Sequence, residues 1–250
     1  MLEEIQDYWN ARSASYAEHN LEELASIKRE KYQSIFLQSA PIPLEKANVL
    51  DIGCGPGIFS VILAEMGANV SALDYTPKML EKAQKNATKH GVSIRFFQGD
   101  AQNLPFETGC FDLVVSRNLT WNLNDPIRAY HEWYRVLKKG GKMLNFDANW
   151  YLYLYDTKCK EHYQKDRQEV AKQGIIDHMT DGYPDAKKME TIAKSLPLSK
   201  IHRPQWDRQT LESIGFENIT CDEDFYQEIW DESEKLMFAS TPMFFISAQK

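Results

Sequence analysis

The chain has 250 residues and a formal charge of -7, from 36 acids against 29 bases. That length supports one large domain or one domain with an insertion, with a core that needs no metal or disulfide staple. The acidic balance argues against a nucleic-acid backbone as partner, and no run reaches the roughly 18 apolar residues of a membrane span.

Residues 1 to about 38 read as helical. Ile5, Tyr8, Trp9 and Tyr16 fall near one face, and Leu21, Leu24, Ile27, Tyr32, Ile35 and Phe36 form a second periodic run. Ala40-Pro-Ile-Pro43 breaks the helix. Val49 to Ile52 predict a strand, Gly53, Gly55 and Gly57 a tight turn, Ile58 to Met66 a helix, and Asn69 to Leu73 a strand ending in Asp74. Thr76-Pro77 caps a helix over Lys78 to Lys89, which Gly91 ends. A third strand spans Val92 to Gln98 and ends at Gly99-Asp100. Phe111 to Ser116 form a fourth, followed by the loop Arg117 to Asn124. Asp125-Pro126 starts a helix that runs to Lys138 and stops at Gly140-Gly141, and Lys142 to Asp147 form the fifth strand.

This alternation predicts an α/β fold with a doubly wound, mainly parallel sheet. It fails after Asp147, where Trp150 to about Leu196 read as a helical insertion with a turn at Asp181 to Pro184. A helix over Arg208 to Ile214 and strands over Phe216 to Cys221 and Met243 to Ala248 complete the chain. The expected organisation is a helical lid (1–40), a nucleotide-binding core (41–149), a helical cap (150–205) and the remainder of the core sheet (206–250). Cys54, Cys110, Cys159 and Cys221 form no CxxC pair, and MLEEIQDYWN lacks the basic-then-apolar start of a signal peptide. A cytoplasmic protein is therefore expected, with a homodimer as one possible assembly.

The glycine turn followed about 20 residues later by an acid is the layout of a nucleotide-binding half-fold. Two details argue against a dinucleotide. The third glycine of G-x-G-x-x-G would fall at Ile58, and Asp51 precedes the turn, where it would repel a pyrophosphate and attract an ammonium. S-adenosyl-L-methionine (SAM) carries an ammonium and a ribose but no phosphate. Asp51-x-Gly53-x-Gly55-x-Gly57 resembles motif I of class I SAM-dependent methyltransferases. The resemblance implies a Rossmann-like seven-stranded sheet in the order 3-2-1-4-5-7-6, SAM as cofactor and S-adenosyl-L-homocysteine (SAH) as product.

It places the cofactor against Asp51, Gly53, Cys54, Gly55 and Gly57 after the first strand, and against Asp74, Tyr75 and Met79 after the second. Asp100, Ala101 and Gln102 follow the third strand, where the resemblance puts an acid that accepts from the adenine amino group. Asn118 follows the fourth. The segment Tyr8-Trp9-Asn10-x-Arg12-x-x-x-Tyr16 is similar to the lid helix of ubiquinone- and menaquinone-biosynthesis methyltransferases, which brings Tyr8 and Tyr16 to the cofactor.

An alcohol or ammonium acceptor needs a base near the transferred methyl group. Asp147 is the first candidate, with Asn149, His178 and His202 behind it. Trp121, Trp150, Tyr151, Tyr153 and Tyr155 are either core between cap and sheet or an apolar, cation-attracting pocket. On the second reading Trp121, Asn149, Trp150, Tyr151 and Tyr155 bind a small-molecule acceptor. No Asn/Asp-Pro-Pro-Tyr or Pro-Cys stands where nucleic-acid-modifying enzymes need one, and no metal site is expected. A non-catalytic SAM- or SAH-binding protein with a partner-binding cap, and a nicotinamide oxidoreductase, are the competing readings.

Overall fold

A computed structural model of the chain describes residues 1–177 and 186–250. Seven strands form one sheet in the order β3-β2-β1-β4-β5-β7-β6. Their ranges are Asn48–Ile52 (β1), Asn69–Asp74 (β2), Arg95–Gln98 (β3), Phe111–Arg117 (β4), Leu137–Ala148 (β5), Glu217–Asp222 (β6) and Met243–Gln249 (β7). β7 runs antiparallel to both of its neighbours, and the other pairs are parallel.

Strands β1 and β4 are apolar on both faces, as strands covered on both sides must be. Val49, Leu113 and Leu144 face one cluster, and Leu50, Val114 and Met143 face the other. Helices α1 (Leu2–Leu24), α2 (Ile27–Ser39), α3 (Ile58–Glu65) and α4 (Pro77–Lys89) precede β3 or flank its neighbours, and α5 (Pro126–Val136) joins β4 to β5. Ser26 separates α1 from α2 because its hydroxyl accepts the Lys28 N–H as an N-cap. On α2, Tyr32 and Phe36 set their rings edge-on against Phe59 and Phe146, at centroid separations of 4.8 to 6.4 Å.

The sequence expectation fails at the start of β5. The helix ends at Val136, and Gly140-Gly141 lie inside the strand rather than behind a helix. Gly140 adopts φ +80° and donates its N–H to the Lys250 carbonyl. A Cβ on Gly141 would stand 2.9 Å from the Lys138 carbonyl oxygen and 3.0 Å from that of Asp112. The pair therefore forms a backbone irregularity between paired strands.

The cap comprises α6 (Thr157–Gln173), α7 (Ala186–Ala193) and a 3₁₀ turn over Leu152–Leu154. Met189, Ile192 and Ala193 of α7 pack on Ile5 and Tyr8 of α1 and on Trp121 and Tyr151. Helix α8 (Gln205–Ile214) then leads into β6. The long return from β6 to β7 holds two short helices, α9 (Tyr226–Ile229) and α10 (Glu232–Met237), the second begun by a reciprocal Asp231–Glu234 capping box. The predicted turn at Asp181 to Pro184 and the candidate base His178 lie outside the described residues. Among the described residues no helix is long and apolar enough to cross a membrane.

Candidate functional site

Where the strand order reverses, between β1 and β4, loops at the carboxyl ends of the strands enclose a cleft, the place where open α/β sheets bind ligands. Its empty space is about 740 Å³, part of it open to solvent. The turn after β1 supplies one wall. Gly55 adopts φ +53°, and a Cβ there would project toward Tyr16 across otherwise open space. Gly57 works differently. With φ +86°, its missing Cβ would stand 3.1 Å from the Ala83 Cβ, so it lets α3 approach α4 and does not reach the cleft.

Three strand-end acids converge here. Asp74 accepts the Gly55 N–H and the Thr76 N–H, each at 2.8 Å, and lines the cleft. Burial raises its pKa, while the backbone N–H groups oppose the rise. Asp100 also lines the cleft and accepts the Gln102 N–H at 2.9 Å. Asp51 lies in an adjoining recess shared with Tyr16, Gly53, Cys54, Gly55 and Arg117. It accepts the Ser60 hydroxyl, and burial pushes its pKa up to about 7.

Of the other residues expected at the cofactor, Tyr16, Gly53, Tyr75, Met79, Ala101 and Asn118 line the cleft. Tyr8 and Gln102 do not. Tyr8 is buried among cap side chains, and its hydroxyl accepts from Arg12. The Gln102 amide is occupied at both ends, donating to Asp100 and accepting the Asp125 N–H at 2.6 Å. Leu2, Ile5, Trp9, Thr76, Gly99, Arg117, Leu119, Asn122 and Leu123 complete the wall without having been singled out as ligands. Trp9 and Arg117 stand within segments the sequence reading had quoted, whereas Leu2 and Ile5 carry no signal beyond helical periodicity.

The expectation for Asp147 is corrected. Its side chain has no solvent exposure, and it accepts four donors: the Thr120 hydroxyl, the Trp121 N–H, the Ala148 N–H and the Arg203 guanidinium at 2.7 Å. Arg203 also pairs with Asp207, which takes the Tyr130 hydroxyl. A carboxylate so saturated has the setting of a structural anchor, and it is not among the residues that line the cleft. Asn149 braces the same corner, exchanging hydrogen bonds with the Arg203 backbone N–H and carbonyl. His202 is 70% exposed and faces Asp156 at 3.2 Å.

Of the two readings of the aromatic residues, the packing favours core between cap and sheet. Trp121 and Tyr151 pack with ring centroids 5.1 Å apart inside the cluster beneath α7, and Tyr153 stacks on Tyr163. Trp150 packs against that cluster and also meets Phe238 edge-on, and Tyr155 is 47% exposed with its hydroxyl donating to the Lys194 carbonyl. None of these five rings lines the cleft. Among the described residues no group of three or more His, Cys, Asp or Glu side chains is placed to hold a metal.

Residues 50–145 match the model of a methyltransferase domain family. The chain is 37% identical over 111 residues to the demethylmenaquinone methyltransferase of Thermus thermophilus, covering 43% of this chain and 50% of that protein. It is 34% identical over 106 residues to the ubiquinone biosynthesis O-methyltransferase of Xanthomonas oryzae pv. oryzae, covering 42% and 44%. The chain thus spans about half the length of these curated relatives. In structure it resembles a protein described as an S-adenosyl-L-methionine-dependent methyltransferase from Methanococcus maripaludis, with a TM-score of 0.62, 24% identity and coverage of 96% and 93%. A Haemonchus contortus phosphoethanolamine N-methyltransferase solved with S-adenosyl-L-methionine gives 0.61 at 18% identity, covering 88% and 52%. Both likenesses are likenesses of fold.

Proposed function

We propose, from the match of residues 50–145 to a methyltransferase domain family, that this chain transfers a methyl group from SAM to a small-molecule acceptor. The observation that carries the reading is the convergence of Asp74 and Asp100 on one cleft, with Asp51 in its adjoining recess. Three acids around a glycine turn suit a cationic, phosphate-free adenosine and oppose a pyrophosphate. Asp74, fixed by two backbone N–H groups, keeps lone pairs for ribose hydroxyls. Asp100 faces the adenine amino group, and Met79, Leu119 and Leu123 supply an apolar slot for the ring.

When bound, SAM supplies an electrophilic methyl carbon on a sulfonium. The chain's part is to align the acceptor in line with that bond and exclude water, an effect worth up to about 7–11 kcal/mol in well-oriented systems. Among the described residues no His, Lys, Glu or Cys side chain lines the cleft. The acceptor therefore brings a nucleophile that needs no strong protein base, such as a neutral amine or an easily ionised phenol. Asn118 and Asn122 each bury a carboxamide oxygen without a partner in the cleft wall, beside Leu2, Ile5 and Trp9. Such oxygens favour a ligand with an N–H or O–H group on an apolar body. A hydroquinone satisfies that description, and the named activities of the curated relatives make it the first class to try.

The test has two stages. Calorimetric titration with SAH and NADH should give micromolar binding of SAH and none of NADH, and the reverse would end the proposal. Radiolabelled methyl groups should then pass from SAM to naphtho- or benzohydroquinones and not to oligonucleotides. A non-catalytic binder is the second reading, favoured by the commitment of the cleft's acids to cofactor-type contacts and by the closed packing of the aromatic cluster. It predicts SAH binding with no transfer to any hydroquinone or amine.

A further inference from the structure

The walls of the cleft stand on different foundations. The wall with Gly55 and Asp74 rests on the sheet itself, where the Gly53 and Cys54 N–H groups donate to the Leu73 carbonyl at 2.8 and 3.0 Å. Another wall, with Asn118, Leu119, Asn122 and Leu123, is the loop after β4, shaped by a 3₁₀ turn over Thr120–Asn122. That turn is pinned from behind. Thr120 is fully buried and does not line the cleft. Its hydroxyl donates to Asp147 and accepts from Arg203 at 2.6 Å and from the Asn145 amide at 3.2 Å. Arg203 in turn grips Asp207 through two nitrogens, at 2.7 and 2.8 Å, and the Asn149 side chain clasps its backbone. A guanidinium forked on one carboxylate cannot swing, so its remaining N–H groups dictate where Asp147 and Thr120 sit.

The backbone in front of this anchor is strained. Asn118 holds φ +56°, left-handed for a residue with a Cβ, while its carbonyl accepts the Trp121 indole N–H at 2.9 Å. Such a conformation persists only where the surroundings over-determine it, and it gathers at functional positions. Asn118 and Asn122 also bury carboxamide oxygens without a partner. We propose that Arg203 and Thr120 are positioning residues for the acceptor. Through the Thr120 hydroxyl the cap's guanidinium sets Asn118 and Asn122 against the acceptor, and it takes no part in holding the cofactor. This rests on the methyl-transfer reading above. An acceptor without help from a protein base depends on alignment, and a displacement of about 1 Å caused far from the chemistry costs about 100-fold.

Initial-rate kinetics with SAM and 1,4-naphthohydroquinone, together with amide hydrogen exchange, test the assignment. Thr120→Val keeps the shape of the side chain and removes its hydroxyl. Acceptor kcat/KM should fall about 10- to 100-fold, with the KM for SAM and the affinity for SAH within about twofold of the parent. Thr120→Ser, which restores the hydroxyl, should recover most of the loss. A purely structural hydroxyl would lower stability without dividing the two substrates in this way. Exchange should quicken about tenfold or more at Trp121 and Asn122, whose N–H groups go to Asp147 and the Leu119 carbonyl. It should stay parental at Gly55 and Thr76, which donate to Asp74. Parental acceptor kinetics in Thr120→Val, or equal losses for acceptor and SAM, would overturn the positioning role alone. A parent that binds SAH but methylates no hydroquinone or amine brings down the transfer reading, and the positioning role falls with it.

Discussion

Two strand-end acids, Asp74 and Asp147, occupy equivalent places in sequence and opposite places in chemistry. Both are buried, at 8% and 0% exposure. Asp74 is held by neutral backbone N–H groups and stands at the cleft, so its charge remains available to a ligand. Asp147 is neutralised by Arg203 and roofed by the loop that follows β4. A carboxylate paired with a buried guanidinium is a structural post, and one held by neutral donors alone is a binding group.

The largest expected effect strikes the post. Arg203→Met strands Asp147 and Asp207 as uncompensated buried acids and should cost about 3–5 kcal/mol in urea unfolding. Asp147→Asn should cost less and leave SAH affinity untouched. Should Asp147→Asn keep the parental stability and binding yet abolish transfer, the contrast collapses and the acid is catalytic after all.

Next in size is the binding group. Asp74→Ala removes acceptors for two ribose hydroxyls, an expected loss of about 2–4 kcal/mol or roughly 30- to 1,000-fold in SAH affinity by titration. Unchanged affinity would sink the site. Tyr151→Ala tests the aromatic cluster. As core, the ring should cost about 2–3 kcal/mol of stability while leaving SAH affinity within about twofold. The opposite pattern would reopen the acceptor-pocket reading.

The contrast also marks how far the sequence reaches. The βαβ core was legible because apolar runs, glycine spacing and the strand-end acids are local signals, and β1, α3 and β2 lie within a residue or two of expectation. The partner of Asp147 was not legible, since Arg203 lies 56 residues away and no motif announces it. Tyr151 and Tyr155 share a face in any regular helix or strand, but the segment makes one short 3₁₀ turn that sends one ring to the core and the other to solvent. Arg117 went unassigned because the sequence cannot say that Glu23 pairs with it or that Asp51 lines the same recess. Gly140-Gly141 misled because glycines behind a helical pattern signal a stop, and only strand pairing shows them to be an irregularity within β5.

The smallest effect sharpens the contrast through pH. Burial holds the native Asp51 carboxyl at about 7, whereas an unfolded aspartate ionises near pH 4. Between those values the native state keeps a proton that the unfolded chain has released, so stability from this group is full below about pH 4 and declines toward pH 7. The slope approaches 1.4 kcal/mol per pH unit at most. A ligand ammonium favours the ionised carboxylate, so SAH binding must expel that proton at acid pH. Affinity should therefore rise about tenfold between pH 6 and pH 8, and the thermal shift produced by SAH should grow with it. Asp51→Asn should flatten both profiles. A parent protein whose SAH affinity is flat across this range, or falls, would show that the ammonium does not face Asp51. The acid before the glycine turn would then join Asp147 as a structural group, held by Ser60.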